Sequence, residues 1–71
     1  MIMMQVVATT GEKLKRLRLG KAWTQVELAE KASVSPSTIV LIEKDETSPH
    51  ASTRRKLSKA LGVDPRELLE D

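Results

Sequence analysis

The chain has 71 residues, of which 39% are hydrophobic and none is cysteine, a size and composition typical of one small globular domain. Without cysteine there is neither a disulfide framework nor a thiolate metal site, and the single histidine, His50, cannot by itself form a metal site or a catalytic triad. We therefore expect a protein that is not an enzyme, with no catalytic residue, no metal and no cofactor.

Membrane insertion and secretion are not expected either. No stretch reaches the roughly 18 apolar residues that a membrane span needs. The apolar start from Met1 to Ala8 also contains no lysine or arginine of the kind that begins a signal peptide. The sequence therefore predicts a cytoplasmic protein with no membrane partner.

The net charge of +2 is distributed unevenly along the chain. Residues 1–22 carry five basic side chains and one acidic side chain, and residues 50–62 carry four basic and no acidic ones. The segments between and after these two blocks are acidic. Two basic blocks suit a polyanionic partner, but solvated helix faces are the more common reason for such blocks, so charge alone does not assign a partner.

The first predicted helix spans about residues 10–19, within the first basic block. Leu14 and Leu17 recur at helical spacing, and Thr9 or Thr10 is positioned to cap the start. Gly20 is predicted to end the helix in the left-handed conformation that glycine adopts most easily.

The second helix has the clearest start signal in the chain. Thr24 is predicted to cap it, Glu27 to complete a capping box, and Trp23 to pack onto Leu28 across the cap. Helix two therefore begins at Gln25, and its apolar pattern ends about two turns later.

A third helix follows after a turn of three residues. Ser35 is its predicted cap and Pro36 its first residue, a position that proline favours. Val34 and Ile39 are spaced to pack against each other across this cap. The helix is predicted to run to about Lys44.

Two more helices complete the predicted fold. The fourth spans about residues 52–61 and closes at Gly62. The pair Asp64 and Pro65 repeats the signal of a cap followed by proline, and so predicts a short fifth helix. The fold class is therefore all-α with five helices.

The chain is divided into two parts, an N-terminal segment at residues 1–9 and a helical domain at residues 10–71. Ile2, Met4 and Val6 alternate with other side chains in the first part. This segment is predicted to be either extended, as an edge strand between two subunits, or flexible.

Two short helices joined by a three-residue turn inside a helical bundle form the helix-turn-helix arrangement. The residues at this turn and around it resemble the lambda repressor and Cro family of DNA-binding domains, also called the XRE family, over about residues 10–69. The resemblance is carried by Leu17-Arg18, Thr24-Gln25-x-x-Leu28-Ala29, Val34-Ser35, Ile39, Ile42-Glu43 and Leu57-x-x-Ala60-Leu61-Gly62-Val63. The chain departs from the family at Ser33 and Asp45, where glycine is common.

The resemblance implies roles for individual residues. Helix three, about residues 36–44, is expected to be the recognition helix that enters the DNA major groove. Gln25 is expected to anchor a phosphate at the start of helix two, where free amide groups and the helix dipole also favour an anion. Arg18 and Glu43 are expected to form a structural pair that ties helix one to the end of helix three.

By the family pattern, Ser37, Val40 and Leu41 lie near the base edges, with Thr38 beside them. Val40 and Leu41 cannot hydrogen-bond a base, so they favour contact with thymine methyl groups, while Ser37 and Thr38 donate or accept hydrogen bonds. The alternative is an apolar patch for a protein partner, because exposed adjacent aliphatic side chains are typical of protein interfaces.

Further contacts to the phosphate backbone are predicted from position alone. Lys21 precedes helix two, Lys44 ends helix three, His50 lies in the following loop, and Arg54 or Arg55 lies at the start of helix four.

The leading functional prediction is a sequence-specific transcription regulator that binds a palindromic operator in double-stranded DNA as a homodimer, because one such module contacts few bases. One alternative is an antitoxin that represses its own operon and binds a toxin protein. Another is a protein-interaction adaptor with the same fold. Apolar surface at residues 1–7, at Trp23, and at Leu68 and Leu69 is predicted to support the dimer.

Overall fold

The computed structural model of the protein describes residues 8–69. In chain order the elements are α1 (Thr10–Gly20), α2 (Gln25–Ala32), α3 (Pro36–Glu43), α4 (Ala51–Leu61) and a 3-10 turn (Pro65–Leu68). Residues 8–69 contain no strand, which confirms the all-helical prediction over that range. The predicted extended or flexible segment lies outside the described residues, except for Ala8 and Thr9.

The predicted fifth α-helix is wrong, because the residues from Pro65 to Leu68 form a single 3-10 turn. Its cap is present, since the Asp64 side chain accepts a hydrogen bond from the Arg66 N–H. Four residues cannot close a second turn of i to i−4 hydrogen bonds, and a 3-10 turn is the usual form of so short a segment.

The predicted starts of α1, α2 and α3 are confirmed, and α4 begins one residue earlier than predicted, at Ala51. The Thr9 hydroxyl accepts from the Glu12 N–H at 3.1 Å, and the Glu12 carboxylate accepts from the Thr9 N–H at 3.0 Å, which is a complete capping box. Thr24 and Glu27 form the same box at 3.0 and 2.7 Å. Ser35 caps α3. These local bonds satisfy amide groups that would otherwise have no acceptor at the start of each helix.

All four helices end in a left-handed residue, but only one of these residues is glycine. Ala22, Ser33 and Asp45 have φ angles of 60°, 59° and 60°, and Gly62 has 74°. In each case the next N–H reaches back to a carbonyl five residues earlier, at 2.9 to 3.2 Å, which is the Schellman arrangement. Ala22 and Ser33 therefore adopt a conformation that strains most residues other than glycine, whereas aspartate, as at position 45, tolerates it better.

The prediction that Gly20 adopts this conformation is wrong. Gly20 is still helical, and Ala22 takes the left-handed position two residues later. With Ala22 left-handed, the Trp23 N–H donates to the Arg18 carbonyl at 3.2 Å, and this hydrogen bond closes the end of α1.

The hydrophobic core draws on every helix and on the 3-10 turn. Its buried members in the described range are Leu14, Leu28, Ala29, Ala32, Ile39, Ile42, Leu57, Leu61 and Leu68. Leu68 was expected to offer surface to a second subunit, and this is wrong, because it is only 1% exposed and seals the core. Leu69 remains exposed. No helix in residues 8–69 is long and apolar enough to cross a membrane.

Candidate nucleic-acid interface

The central feature of the fold is the pair α2 and α3. The turn between them is three residues long, from Ser33 to Ser35, and α3 packs against both α2 and α1. The left-handed Ser33 reverses the chain, and the half-buried Val34 packs against the core. Two short helices held in this way are a helix-turn-helix unit.

A buried ion pair joins the end of α3 to α1. Arg18 donates from Nε to Oε2 of Glu43 at 2.7 Å and from Nη2 to Oε1 at 3.0 Å. The two side chains are only 9% and 5% exposed. Two parallel bonds fix both the distance and the plane of the contact. The structure thus places these two residues together, as the resemblance implied.

The same pair also holds the start of α2. The amide nitrogen of Gln25 donates to Oε1 of Glu43 at 3.1 Å, and Nη1 of Arg18 donates to the carbonyl of Trp23 at 2.8 Å. Hydrogen bonding to Glu43 raises the pKa of Arg18, against the opposing effect of burial, so the guanidinium stays charged. One network therefore sets the positions of three helix ends.

The start of α2 presents free amide groups at this point. The capping box of Thr24 and Glu27 satisfies the N–H of Glu27, whereas the N–H groups of Gln25 and Val26 have no acceptor within α2. Val26 is 51% exposed, so this first turn is open to solvent. Together with the positive end of the helix dipole, these groups favour a phosphate oxygen.

The outer face of α3 carries the residues that were predicted to read bases. Ser37 and Leu41 are exposed, and Thr38 and Val40 are half-buried. The Thr38 hydroxyl lies 2.8 Å from that of Ser35, so it forms part of the cap as well as part of the face. This surface combines two hydroxyl groups with two aliphatic side chains.

A cleft of about 250 Å³ brings part of this face together with the following loop. Thr38, Leu41 and His50 are among its lining residues, which also include Thr47 and Pro49. His50 is exposed and occupies the cap position of α4 without a capping bond from its side chain. The imidazole is therefore available to an external partner.

The side chains that were predicted to contact phosphates differ in their exposure to solvent. Lys21, Lys44 and Arg55 are exposed. Arg54, the alternative to Arg55, is half-buried and points its Nη1 toward the Pro49 carbonyl at 3.4 Å. Of the two arginines, Arg55 is thus the one that solvent reaches freely.

Sequence reasoning missed a second contact between α3 and α1. Asp45, which follows α3, accepts hydrogen bonds from the Thr9 hydroxyl at 2.7 Å and from the Gly11 N–H at 3.0 Å. It also missed the contacts of the Trp23 ring with two ammonium groups, that of Lys31 at 5.0 Å from the ring centre and that of Lys21 at 5.9 Å.

A second ion pair, between Arg66 and Asp64, is much more exposed to solvent than the pair of Arg18 and Glu43. Arg66 donates from Nε and Nη2 to the two carboxylate oxygens of Asp64, both at 3.1 Å. The side chains are 83% and 48% exposed. Hydrogen bonds from the Arg66 side chain and backbone lower the pKa of Asp64.

Comparison with known proteins assigns the family. The helix-turn-helix family model matches residues 14–68. The chain is 42% identical over 55 residues to the immunity repressor protein of Bacillus phage phi105, and the alignment covers 78% of this chain and 38% of the relative. It is 36% identical over 62 residues to the HTH-type transcriptional regulator SinR of Bacillus subtilis (strain 168), with 86% and 56% covered.

Solved structures agree with this assignment. The fold is similar to that of the P22 c2 repressor in complex with a synthetic operator, with a TM-score of 0.83, 32% identity, and coverage of 87% of this chain and 94% of that one. The chain therefore belongs to the helix-turn-helix family, of the lambda repressor and Cro type that its sequence resembles. It spans 38% and 56% of the length of the phage repressor and of SinR.

Proposed function

We propose that this chain is a DNA-binding transcription regulator of the repressor type, with α3 in the major groove. The observation that carries the proposal is the network of Arg18, Glu43 and Gln25, which fixes the open start of α2 relative to the outer face of α3. A rigid arrangement of this kind suits a ligand that presents phosphates and base edges at fixed distances. The relatives named as repressors and regulators support the same function.

The phosphate contacts of this proposal come from two kinds of group. Gln25 binds a phosphate through its second amide hydrogen and its backbone N–H, because Glu43 takes only one of the two amide hydrogens. The remaining contacts are charged or ring nitrogens on exposed side chains. They are provided by Lys21, Lys44, His50 and Arg55.

Base contacts are assigned to the outer face of α3. Val40 and Leu41 contact thymine methyl groups, and Ser37 and Thr38 bond to base edges or to water between them. An operator half-site rich in thymine follows from this face, because half of its side chains are aliphatic.

We expect the protein to bind a palindromic operator as a symmetric homodimer. A two-fold axis would place two copies of α3 roughly 34 Å apart, one turn of DNA, so that both read the same side of the duplex. Sedimentation at micromolar concentration and band shifts on single and paired half-sites test this. A monomer that binds one half-site as tightly, per site, as a palindrome would contradict it.

Selection from randomised duplex DNA is the main test of the function. A repressor should enrich one thymine-rich motif with two-fold symmetry. Its affinity should fall with salt, with a slope of log K against log salt of about −3 for each domain, since Lys21, Lys44 and Arg55 each neutralise one phosphate. Failure to enrich any motif would contradict the proposal.

Gln25→Ala and Ser37→Ala separate the two kinds of contact. The first should weaken binding to all sequences alike, because phosphate contacts position the protein without reading bases. The second should change the preferred base at one position. Band shifts on the selected motif and on its single-base variants measure both, and a changed preference for Gln25→Ala would contradict its assignment.

A second candidate function is supported by the aliphatic surface. Leu41 is 40% exposed and Val26 is 51% exposed, which suits a protein partner such as the toxin of an antitoxin pair, or the partner of an adaptor with this fold. Binding through such a surface should change little between low and high salt, whereas DNA binding should fall steeply.

A further inference from the structure

Asp45 closes α3 and at the same time caps a different helix. Its backbone is left-handed, with φ of 60°. Its carboxylate accepts from the Thr9 hydroxyl through Oδ2 and from the Gly11 N–H through Oδ1, at 2.7 and 3.0 Å. A carboxylate at the first turn of α1 is stabilised by the free amide groups and by the positive end of the helix dipole. A glycine in this position would relieve the left-handed strain and would lose both contacts.

The backbones of α1 and α3 also approach closely here. A Cβ atom at Gly11 would lie 2.8 Å from the Glu43 carbonyl oxygen, and closer still to that of Ile42. Gly11 is buried. The last carbonyl groups of α3 thus rest on the first turn of α1, with the negative end of one helix against the positive end of the other.

The Thr9 hydroxyl is used twice in this contact. It accepts from the Glu12 N–H at 3.1 Å as the cap of α1, and it donates to Asp45 at 2.7 Å. Only a side chain that both accepts and donates serves both partners. Serine keeps both bonds, whereas aspartate, a strong cap in most helices, keeps only the accepting one.

We propose that Asp45 and Thr9 are positioning residues for α3, which together with the pair of Arg18 and Glu43 fix the direction in which α3 meets DNA. Thr9 and Arg18 are nine positions apart, or about 13 Å along the axis of α1. The buried Ile39 and Ile42 already pack α3 against its neighbours, and these two contacts add hydrogen bonds of fixed direction at the end of α3. This inference rests on the proposed function, since it concerns how α3 meets its target.

A double-mutant cycle at Thr9 and Asp45 tests the hydrogen bond between these two side chains in the absence of DNA. Thr9→Asp should lower the denaturation midpoint, because it brings a second carboxylate to Asp45, although aspartate is a good cap. The double variant with Asp45→Asn should recover part of the loss, because the new amide can donate to the new carboxylate. Thr9→Ser is the control and should match the original protein. If Thr9→Asp has an unchanged or higher midpoint, the contact is refuted.

The positioning role is tested by the ratio of affinities for the selected motif and for unrelated DNA. Asp45→Gly should lower this ratio about tenfold, the effect of roughly one mismatched base pair. Glu46→Gln is the control, because it removes the same charge from the neighbouring exposed side chain. Circular dichroism at the assay temperature ensures that only folded protein is compared.

A merely structural cap would lower the midpoint of Asp45→Gly and leave the ratio within about twofold of the original, and this would overturn the positioning role. A fall of the ratio in Asp45→Gly but not in Glu46→Gln supports it. If the unaltered protein selects no motif, the proposed function fails and the positioning of α3 on DNA fails with it. The cycle of Thr9 and Asp45 still decides the contact in that case.

Discussion

Two arginine and carboxylate pairs in this molecule have nearly the same hydrogen bonds and very different surroundings. Arg18 and Glu43 are joined by two bonds of 2.7 and 3.0 Å and are almost completely buried. Arg66 and Asp64 are joined by two bonds of 3.1 Å and are exposed, with the arginine 83% accessible. The first pair links residues 25 positions apart, and the second links residues two positions apart.

The difference shows that contact geometry does not determine what an ion pair contributes. In the buried pair, neither charge can return to water when its partner is removed, so losing one side chain leaves the other desolvated. In the exposed pair, water and salt replace the lost partner at little cost. The buried pair also positions Gln25 and the Trp23 carbonyl, whereas the exposed pair holds only its own turn.

The largest effect is expected from Arg18→Ala. It leaves the Glu43 carboxylate buried without its counter-charge and should reduce the free energy of unfolding by about 3 kcal/mol. Arg16→Ala, which removes an exposed arginine from the same helix, should change it by less than about 0.5 kcal/mol. Urea denaturation followed by circular dichroism measures both. Equal midpoints for the two variants would show that the buried pair contributes no more to stability than an exposed arginine.

A smaller effect, of opposite sign, is expected from Ala22→Gly. The left-handed Ala22 turns the chain so that the Trp23 carbonyl faces Arg18. Glycine adopts this conformation without strain, so the variant should gain about 1 kcal/mol in stability while keeping the network. Gly20→Ala, at a helical position with open space for a Cβ atom, should also be tolerated. A loss of stability in Ala22→Gly would show that the turn is held by contacts other than those described.

The smallest effect is expected from Arg66→Ala, which should leave the denaturation midpoint unchanged at neutral pH. The pKa of Asp64 should rise in this variant, but stay below its ordinary range, because the backbone N–H at position 66 still donates to it. A lowered pKa adds stability that is present at neutral pH and is lost as pH falls through the folded-state pKa, so any difference between the proteins, which the exposure of the pair keeps too small to move the midpoint, should disappear in acid. Titration of the carboxyl carbon by NMR at low and high salt measures the pKa, and a large midpoint change at neutral pH would contradict the contrast.

The sequence predicted those features that depend on near neighbours. The caps at Thr24 and Ser35 were placed correctly, because a cap bonds to an amide only two or three residues away. The recognition of the family was confirmed because its signals are likewise local and ordered. The 3-10 turn at the end of the chain was mistaken for an α-helix because both begin with the same cap and proline.

Features that depend on distant partners were predicted only where the family resemblance implied them, as for Arg18 and Glu43. Asp45 was interpreted only as a departure from the family at a position where glycine is common, because its partners Thr9 and Gly11 are 36 and 34 positions away. Leu68 and Leu69 look alike in the sequence, and only the packed structure shows that the first is buried and the second exposed. The roles assigned to individual residues on DNA remain predictions for the same reason, since they depend on a partner outside the chain.

The two faces of α3 differ in a way that affects how a protein of this kind can evolve. Ile39 and Ile42 are committed to the core and Glu43 to α1, while Ser37 and Leu41 project outward from the same two turns. Substitutions at the outward positions leave the core and the buried network intact, so a laboratory library restricted to them should retain mostly folded members. Under the proposed function, in which these side chains contact bases, single codon changes there would alter the preferred operator without unfolding the domain.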